Sequence, residues 1–342
     1  MGVNSLDEDV RRTLARPVLA AGWIGVAVAA LPTLAGVELP TTLRYAPLVA
    51  SVVLFGFPHG AIDYVALPRA VAGRVTGRWL AVVGCLYLVL GGAYAAAWFA
   101  WPVAAALAFV ALTWLHWGQG DVYSLAVLLD ADYLDSRARR VATGVVRGGL
   151  PMLVPLLGHP ETYREVVAAF AAPFGGNVGD LWLFTPDARL VLGVAFAVVT
   201  VGTLAANRLA TAESPPTAWR VDAAETVGLW AFFLVVPPVF AVGVYFCLWH
   251  AVRHVARAVA VDGTSRHALA AGDLRKPLAR FAREATPLTV AALALLAGFW
   301  VAVPNPPTTL AGATGLYLAF VAVLTLPHVA AVTWMDRAAG LL

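Results

Sequence analysis

The chain has 342 residues, of which 61% are hydrophobic and 13% are charged, and its mean hydropathy is +0.78. Soluble domains carry roughly 25% charged residues, so this composition excludes a soluble globular protein and indicates a surface that faces lipid. The formal net charge is only +3, and arginines that flank apolar stretches carry nearly all of it. This pattern excludes nucleic acid as a partner.

Ten stretches are apolar over the length of about 20 residues that a membrane span needs. The divisions after Trp101 and within Pro237-Pro238 are placed there because proline lacks an N–H donor and disfavours helix before it. Between the fifth and sixth spans, 161–185 is predicted to be an external loop with a short amphipathic helix. The predicted spans are roughly 18–36, 46–68, 79–100, 102–129, 141–157, 188–207, 221–237, 239–260, 286–304 and 310–335.

The basic residues predict how these spans are oriented. With the N-terminus inside, 19 of the 23 Lys and Arg residues fall on the inner side, Arg44, Arg164 and Arg189 fall outside, and Arg147 lies within a span. Cytoplasmic loops are enriched in Lys and Arg, so both termini are predicted to be cytoplasmic. The fold class is therefore an all-α polytopic membrane helix bundle of about 10 transmembrane helices, a multi-pass protein of the cell (cytoplasmic) membrane. It forms a single integral membrane domain over 1–342, with 1–17 as a cytoplasmic N-terminal segment and 18–337 as the bundle.

Five of the seven histidines lie inside predicted spans. Ionisable side chains are costly in hydrocarbon, so each is a candidate functional residue. Their four spans run in the same direction, and at 1.5 Å per residue their depths differ by only about 10 Å. They can therefore converge on one metal ion. These histidines are His59, His116, His250, His254 and His328.

The five histidines are not equally strong candidates. His250 and His254 are four residues apart and share a helix face, so both can ligate one ion. His328 is the deepest and has no neighbouring acid, so helix-to-helix hydrogen bonding is an equal alternative for it. His159 and His267 lie in predicted loops and are expected to be solvated.

Imidazole ligands favour iron, copper, nickel or zinc. The cysteines, Cys85 and Cys247, lie in apolar runs and are expected to be core residues, so a thiolate zinc site is not indicated, and no HExxH motif is present. Fe(2+) with open positions for dioxygen is the favoured ion. Asp63 and Asp121 each follow a histidine by about one turn and are predicted second-shell partners. Arg147 either pairs with one of these acids or extends toward the inner interface.

Large aromatic side chains accompany the histidines at similar depth. They are predicted to line a cleft for a long, flat, apolar ligand. The alternative is that they only pack helices together. The candidates are Trp114, Trp117, Trp249, Phe57 and Tyr64.

The histidine segments resemble those of the Brp/Blh family of integral membrane β-carotene 15,15′-dioxygenases. Two of them depart slightly from the family pattern, with Ile62 in place of Leu and Trp117 in place of Phe. Four segments in the family's order and spacing make the resemblance specific. They are PHGAID at 58–63, HWGQGD at 116–121, WHAVRH at 249–254 and PH at 327–328.

This resemblance implies an Fe(II) enzyme that splits the central double bond of β-carotene with O2 into two molecules of retinal, supplying chromophore to rhodopsins. It implies metal ligands and catalytic residues at His59, His116, His250 and His254, with His328 as a fifth candidate. The expected partners are β-carotene, O2 and membrane lipid, with hand-over of retinal to an opsin. The chemistry of the implied substrate agrees with the histidine cluster. A polyene offers neither an acidic proton nor a carbonyl, which leaves metal-activated O2 as the reasonable chemistry.

Other classes stay open at this stage. A diiron desaturase or hydroxylase would need more histidine boxes than the single HxxxH present here. A haem protein would need paired histidines about 13 residues apart on each of two helices. A transporter would need more acidic residues along the spans. A family member that is inactive or has another specificity is the remaining alternative.

Overall fold

The computed structural model describes residues 6–179, 181–211 and 217–342, and all of its regular structure within these ranges is helical. The prediction of an all-α polytopic bundle is therefore confirmed. In chain order the helices are α1 (Glu8–Leu34), α2 (Thr41–Ala72), α3 (Gly77–Ala100), α4 (Pro102–Leu128), α5 (Arg137–Gly158), α6 (Pro160–Ala171), α7 (Pro186–Leu209), α8 (Thr217–Val235), α9 (Pro238–Ala260), α10 (Gly263–Ala270), α11 (Arg275–Ala302) and α12 (Leu310–Ala338).

Within the described ranges, nine helices are long and apolar enough to cross a membrane. The remaining predicted span, the seventh at 221–237, corresponds to α8, which carries Arg220, Asp222 and Glu225 and so fails that criterion. Helix α8 nevertheless follows α5 along its length. Glu225 pairs with Arg147, and a methyl group at Gly158 would lie 2.5 Å from the Leu234 carbonyl oxygen. The two acids of α8 are buried and paired inside the bundle, so their charges do not face lipid.

The two ends of the described chain lie at the same end of the bundle. Arg11 at the start of α1 forms an ion pair with Asp130, and Arg140 donates to the Leu341 carbonyl at 2.8 Å. Asp130 and Arg140 both belong to the short connection between α4 and α5 and its first turn. An even number of membrane crossings is needed to bring both ends to one side. Nine helices in the described part of the chain meet the criterion, so the common side of the two ends supports α8 as a further, tenth crossing.

Helices α4 and α5 pack with their backbones in contact. A Cβ at Gly148 would lie 1.9 Å from the Trp114 carbonyl oxygen, and one at Gly118 would lie 2.1 Å from the Gly144 carbonyl oxygen. Gly144 and Gly148 form a GxxxG pattern, which allows membrane helices to approach closely. Arg147 lies between these glycines, so the close packing brings its guanidinium group to α4.

Two of the histidine-bearing helices contain π-helical turns at the histidines. Val52–Gly56 precedes Pro58 and His59 on α2, and Tyr245–His250 ends at His250 on α9. On α2, Pro58 removes a backbone donor, and the π-turn before it accommodates the interrupted ladder; the turn on α9 has no neighbouring proline. Each π-turn holds one residue more than an α-helical turn. The extra residue changes the direction in which the following side chains leave the helix.

Candidate metal centre and substrate cavities

The structure brings together all five histidines that the sequence places in spans. The imidazole centroids of contacting pairs are 4.5–5.7 Å apart, and no side chain in the group is more than 8% exposed. Two sets of three have ligand atoms within 4.8 Å of one another, and His116 belongs to both. The sets are His59, His116 and His328, and His116, His250 and His254.

Hydrogen bonds fix the orientation of two of these rings. His59 Nδ1 lies 2.8 Å from the Phe55 carbonyl oxygen, and His328 Nδ1 lies 2.7 Å from Asp63 Oδ2. A carbonyl oxygen can only accept, so Nδ1 of His59 is the donor and its Nε2 is left with a free lone pair. A donor bond of this kind is what orients metal-bound histidines.

The remaining imidazole nitrogens test whether a metal fits. Buried polar atoms normally have hydrogen-bond partners. Four histidines instead have buried nitrogens without one among the described residues, which is the state expected of atoms that await a metal. They are both ring nitrogens of His116 and Nε2 of His250, His254 and His328. The donor set fits a metal that accepts imidazole ligands.

The two predicted second-shell acids have different partners. Asp63 accepts from His328 and from the Tyr87 hydroxyl, both at 2.7 Å, although His59 is its near neighbour in sequence. Asp121 contacts no histidine: it lies 2.8 Å from Arg147 Nε and 3.0 Å from Arg253 Nη1. Asp63 is therefore in direct contact with the histidine group, and Asp121 belongs to a neighbouring charge cluster.

Sequence reasoning missed Arg253 and Glu225, which complete that cluster. Arg253 and Arg257 count above as inner basic residues, yet both lie within α9 and are at most 4% exposed. Glu225 is 1% exposed and pairs with Arg147 and Arg253. The cost of charge in a span would have identified these residues, had it been applied to every charge and not only to the histidines.

Two mainly apolar cavities reach the histidine group. The first, of about 360 Å³, is bounded by α2, α4, α5, α6, α9 and α12, and the second, of about 450 Å³, by α2, α3, α11 and α12. His59, Val321, Thr325 and His328 line both. The histidine group therefore lies where the two cavities meet.

The predicted substrate-lining aromatics divide into two groups. Trp117 lines the first cavity, and Phe57 and Tyr64 line the second. Trp114 instead donates to the Val145 carbonyl at 2.8 Å, and Trp249 is buried beneath the Arg253 guanidinium group, 4.0 Å from the ring centroid. The structure thus places three of the five at a cavity wall and two in helix packing.

The two histidines outside the group differ from each other. His267 is exposed at the end of α10, as expected of a solvated residue. His159, between α5 and α6, is half-buried, and burial lowers the pKa of its imidazole, against hydrogen bonds with the Leu234 and Val235 backbone. Neither contacts the five-histidine group.

Comparison with known proteins adds a family to this geometry. The model of the family described as "Beta-carotene 15,15'-dioxygenase" matches residues 50–336. The chain belongs to this family. The match extends from the middle of α2 to the end of α12, so it includes all five histidines.

Curated relatives in the same family are similar over most of the chain. "Probable beta-carotene 15,15'-dioxygenase Blh" of Halobacterium salinarum is 68% identical, covering 100% of this chain and 99% of its own. "Probable beta-carotene 15,15'-dioxygenase Brp" of the same species is 32% identical, covering 90% and 88%. "Beta-carotene 15,15'-dioxygenase" of an uncultured marine bacterium is 25% identical, covering 60% and 66%. No solved structure matches the chain.

Proposed function

We propose that this protein is an Fe(II)-dependent dioxygenase that cleaves the central 15,15′ double bond of β-carotene with O2 to give two molecules of retinal. The observation that carries the proposal is the meeting of two apolar cavities at the five-histidine group, in a chain of the β-carotene 15,15′-dioxygenase family.

The donor set supports iron as the metal. Among the described residues, the site offers five neutral imidazoles, no thiolate and no cluster of carboxylates in direct contact, and such a donor set suits iron. Because the ligands are neutral, the centre would have the 2+ charge of the ion. His59, His116, His250 and His254 would hold it, with His328 as the fifth candidate. When bound, the iron would activate dioxygen for reaction with the polyene. The polyene itself offers no group on which acid–base chemistry could act.

The substrate fits the shape of the site. β-Carotene is a symmetric C40 hydrocarbon that dissolves only in the bilayer, and it must present its midpoint to the metal. One half would lie in the first cavity against Trp117, and the other in the second against Phe57 and Tyr64. The two cavities are of comparable volume, about 360 and 450 Å³, which favours central over eccentric cleavage.

The chain's own residues would organise the reaction without joining it chemically. The Phe55 carbonyl and the Asp63 carboxylate hold Nδ1 of His59 and His328, so that Nε2 of each ring faces the group. The apolar cavity walls keep bulk water from the centre, which strengthens electrostatic interactions within it. Asp63 would thus set the tautomer of one imidazole and fix its direction.

The setting follows from the same chemistry. A multi-pass protein with basic residues concentrated at the inner side of its spans is proposed to reside in the cell membrane with both termini in the cytoplasm. Retinal would leave laterally into lipid or pass to an opsin.

Expression in a bacterium that makes β-carotene tests the proposal. Cells with the wild-type chain should lose their orange colour and accumulate retinal, identified by chromatography. Cells with His250→Ala should keep the orange colour, because the variant lacks one of the two proposed metal ligands on the shared face of α9. Cells with His267→Ala, a change at an exposed position, should lose the colour as with the wild-type chain. Persistent carotene with folded wild-type protein in the membrane would contradict the proposal.

A second candidate, a diiron enzyme, is raised by the two histidine sets that share His116. A dinuclear centre would commonly use bridging carboxylates, and the nearby Asp63 is already engaged by His328 and Tyr87. We therefore expect one iron per chain. Iron analysis of the purified protein distinguishes one ion from two.

A further inference from the structure

Four buried charges beside the histidine group form a closed ring, here called the charge ring. Asp121 contacts both Arg147 (2.8 Å) and Arg253 (3.0 Å), and Glu225 contacts both Arg253 (2.8 Å) and Arg147. Each acid therefore bridges both arginines, and each arginine bridges both acids. All four side chains are at most 3% exposed.

The charge ring joins four helices, and two of them carry histidines of the metal centre. Asp121 is five residues after His116 on α4, and Arg253 lies between His250 and His254 on α9. Arg147 and Glu225 come from α5 and α8, which contribute no histidine. The ring is therefore a direct polar connection between the helix of His116 and the helix of the HxxxH pair.

A stabilising role alone explains this ring poorly. Burying ions removes their hydration, and replacing a buried ion pair by apolar residues is often neutral or stabilising. What a ring of bridging contacts provides is geometry, because each planar guanidinium group holds one acid at each of two nitrogens and so fixes the distance and the direction between them. Trp249, next to His250, adds to the connection by donating to Asp121 Oδ1 at 3.2 Å.

We infer that Arg147, Glu225 and Arg253 are positioning residues, which together with Asp121 hold α4 and α9 at the separation that lets His116, His250 and His254 bind one ion. This inference rests on the proposed metal centre. None of the ring's carboxylates is a ligand, so the ring acts through the helices. Loss of one ring charge should then change the metal site even where the protein still folds.

The test measures metal binding instead of turnover. Purified full-length protein is titrated with Co2+, whose visible absorption reports ligand number and geometry. Glu225→Gln keeps the side-chain shape but removes one charge, and it should weaken Co2+ binding by about 10–100-fold, the usual effect of losing an outer-shell partner, with an altered spectrum.

Asp222→Asn is the matched control. Asp222 lies one turn before Glu225 on α8 and is equally buried, at 1% exposed, but its nearest contact with the ring is 3.8 Å, to Arg147. It should bind Co2+ with close to wild-type affinity and spectrum. Thermal unfolding of each metal-free variant separates effects on folding from effects on the site.

Wild-type affinity and spectrum in Glu225→Gln would overturn the inference, as would equal losses in Asp222→Asn. If Glu225→Gln does not fold, Arg253→Lys replaces it, because lysine keeps the charge but lacks the fork that reaches both acids. The same loss is expected there, and failure of both variants to fold would assign the ring to stability alone and so overturn positioning. If the wild-type chain binds no Co2+, the proposed metal centre itself fails.

Discussion

Two glycines in the histidine motifs stand beside imidazoles with different clearances. A Cβ at Gly120 would lie 3.0 Å from His254 Nε2, whereas one at Gly60 would meet its nearest neighbour, His328 Nδ1, at 3.8 Å. The first distance is closer than ordinary van der Waals contact, and the second is ordinary contact. Gly120 therefore keeps space free at a nitrogen that has no partner among the described side chains.

We expect Gly120→Ala to displace the His254 ring and to lower metal affinity by about tenfold or more, on the scale of other disturbances around a ligand. Gly60→Ala should bind metal like wild type. Iron content and Co2+ titration of both purified variants check this. Equal behaviour of the two variants would mean that this clearance does not matter to the centre.

Trp114 and Trp117 form a second matched pair, one turn apart on α4. Trp117 lines the first cavity beside His116, while Trp114 packs against Phe196 at a centroid distance of 5.9 Å. Trp117→Ala should let the polyene shift along the cavity and yield unequal apocarotenals. Trp114→Ala should reduce the amount of folded protein yet leave retinal as the product. Chromatography of the aldehydes distinguishes these outcomes, and retinal alone from Trp117→Ala would assign that residue to packing.

For individual residues, the sequence predicts well which side chains come together. It predicts poorly which of their atoms form hydrogen bonds. The convergence of the five histidines could be predicted because each is costly in hydrocarbon and their depths match. The partner of Asp63 could not, because His328 is 265 residues away along the chain and only the packing of α12 on α2 brings it close. Pairing of Arg147 with one of the two acids is one of the two alternatives for that residue, and the acid is Asp121. Local spacing does not show that Arg253 of α9 binds the same carboxylate.

The contact between α4 and α5 leaves the least room for an added side chain at a glycine. Gly148→Ala would place a methyl group 1.9 Å from the Trp114 carbonyl oxygen, so the helices must separate. We expect a loss of about 1–3 kcal/mol or more of unfolding free energy, the typical effect of overpacking. Gly202→Ala on α7, which has nothing within 4 Å, should be neutral or slightly stabilising because alanine favours helix.

Unfolding of the two purified variants, followed by circular dichroism, measures this difference. A Gly148→Ala protein as stable as the Gly202→Ala control would show that α4 and α5 tolerate separation. Because α4 carries His116 and α5 carries Arg147, such a result would also weaken the case for a fixed distance between them.

The connection between α9 and α10 carries an ion-pair network that makes stability depend on pH. Burial alone would raise the pKa of the Asp262 carboxyl, but hydrogen bonds from Ser265 and the nearby Arg69 and Arg280 guanidinium groups hold that pKa below its usual value. A depressed pKa in the folded state contributes stability that is present above the unfolded-state pKa of about 3.9 and is lost as pH falls through the folded value.

Asp262→Asn should therefore destabilise the protein at pH 7, with the difference from wild type shrinking as the pH falls below about 4. Asp273→Asn is the control, since the Asp273 side chain is 31% exposed and its contacts are local, to Arg275 and Lys276. Thermal midpoints across this pH range give the answer. An Asp262→Asn midpoint that follows wild type at every pH would remove the network from the stability of this end of the bundle.

Helix boundaries and number could be predicted where apolar length decides them. The positions of the predicted spans agree with helices of the structure, and the prediction of a seventh span at 221–237 depended on accepting charges within it. The structure gives the physical reason: the acids of α8 are paired inside the bundle and do not face lipid. The π-helical turns could not be predicted: Val52–Gly56 precedes a proline, but Tyr245–His250 has no proline near it that would mark it in the sequence.

For the molecule as a whole, the decisive feature is that the five-histidine group lies between two cavities and not at the end of one. His59 and His328 line both cavities. No pattern along the chain predicted this, because each cavity is lined by residues from several helices that are distant in sequence. The aromatic residues near the histidines indicated a cleft but not its two parts.

The stoichiometry of the reaction tests the central claim most directly. Purified protein supplied with Fe(II), O2 and β-carotene should release two molecules of retinal for each carotene consumed, and the activity should disappear when a chelator removes the iron and return when iron is restored. Unequal apocarotenals as the main products, or turnover that persists in iron-free protein, would contradict the account.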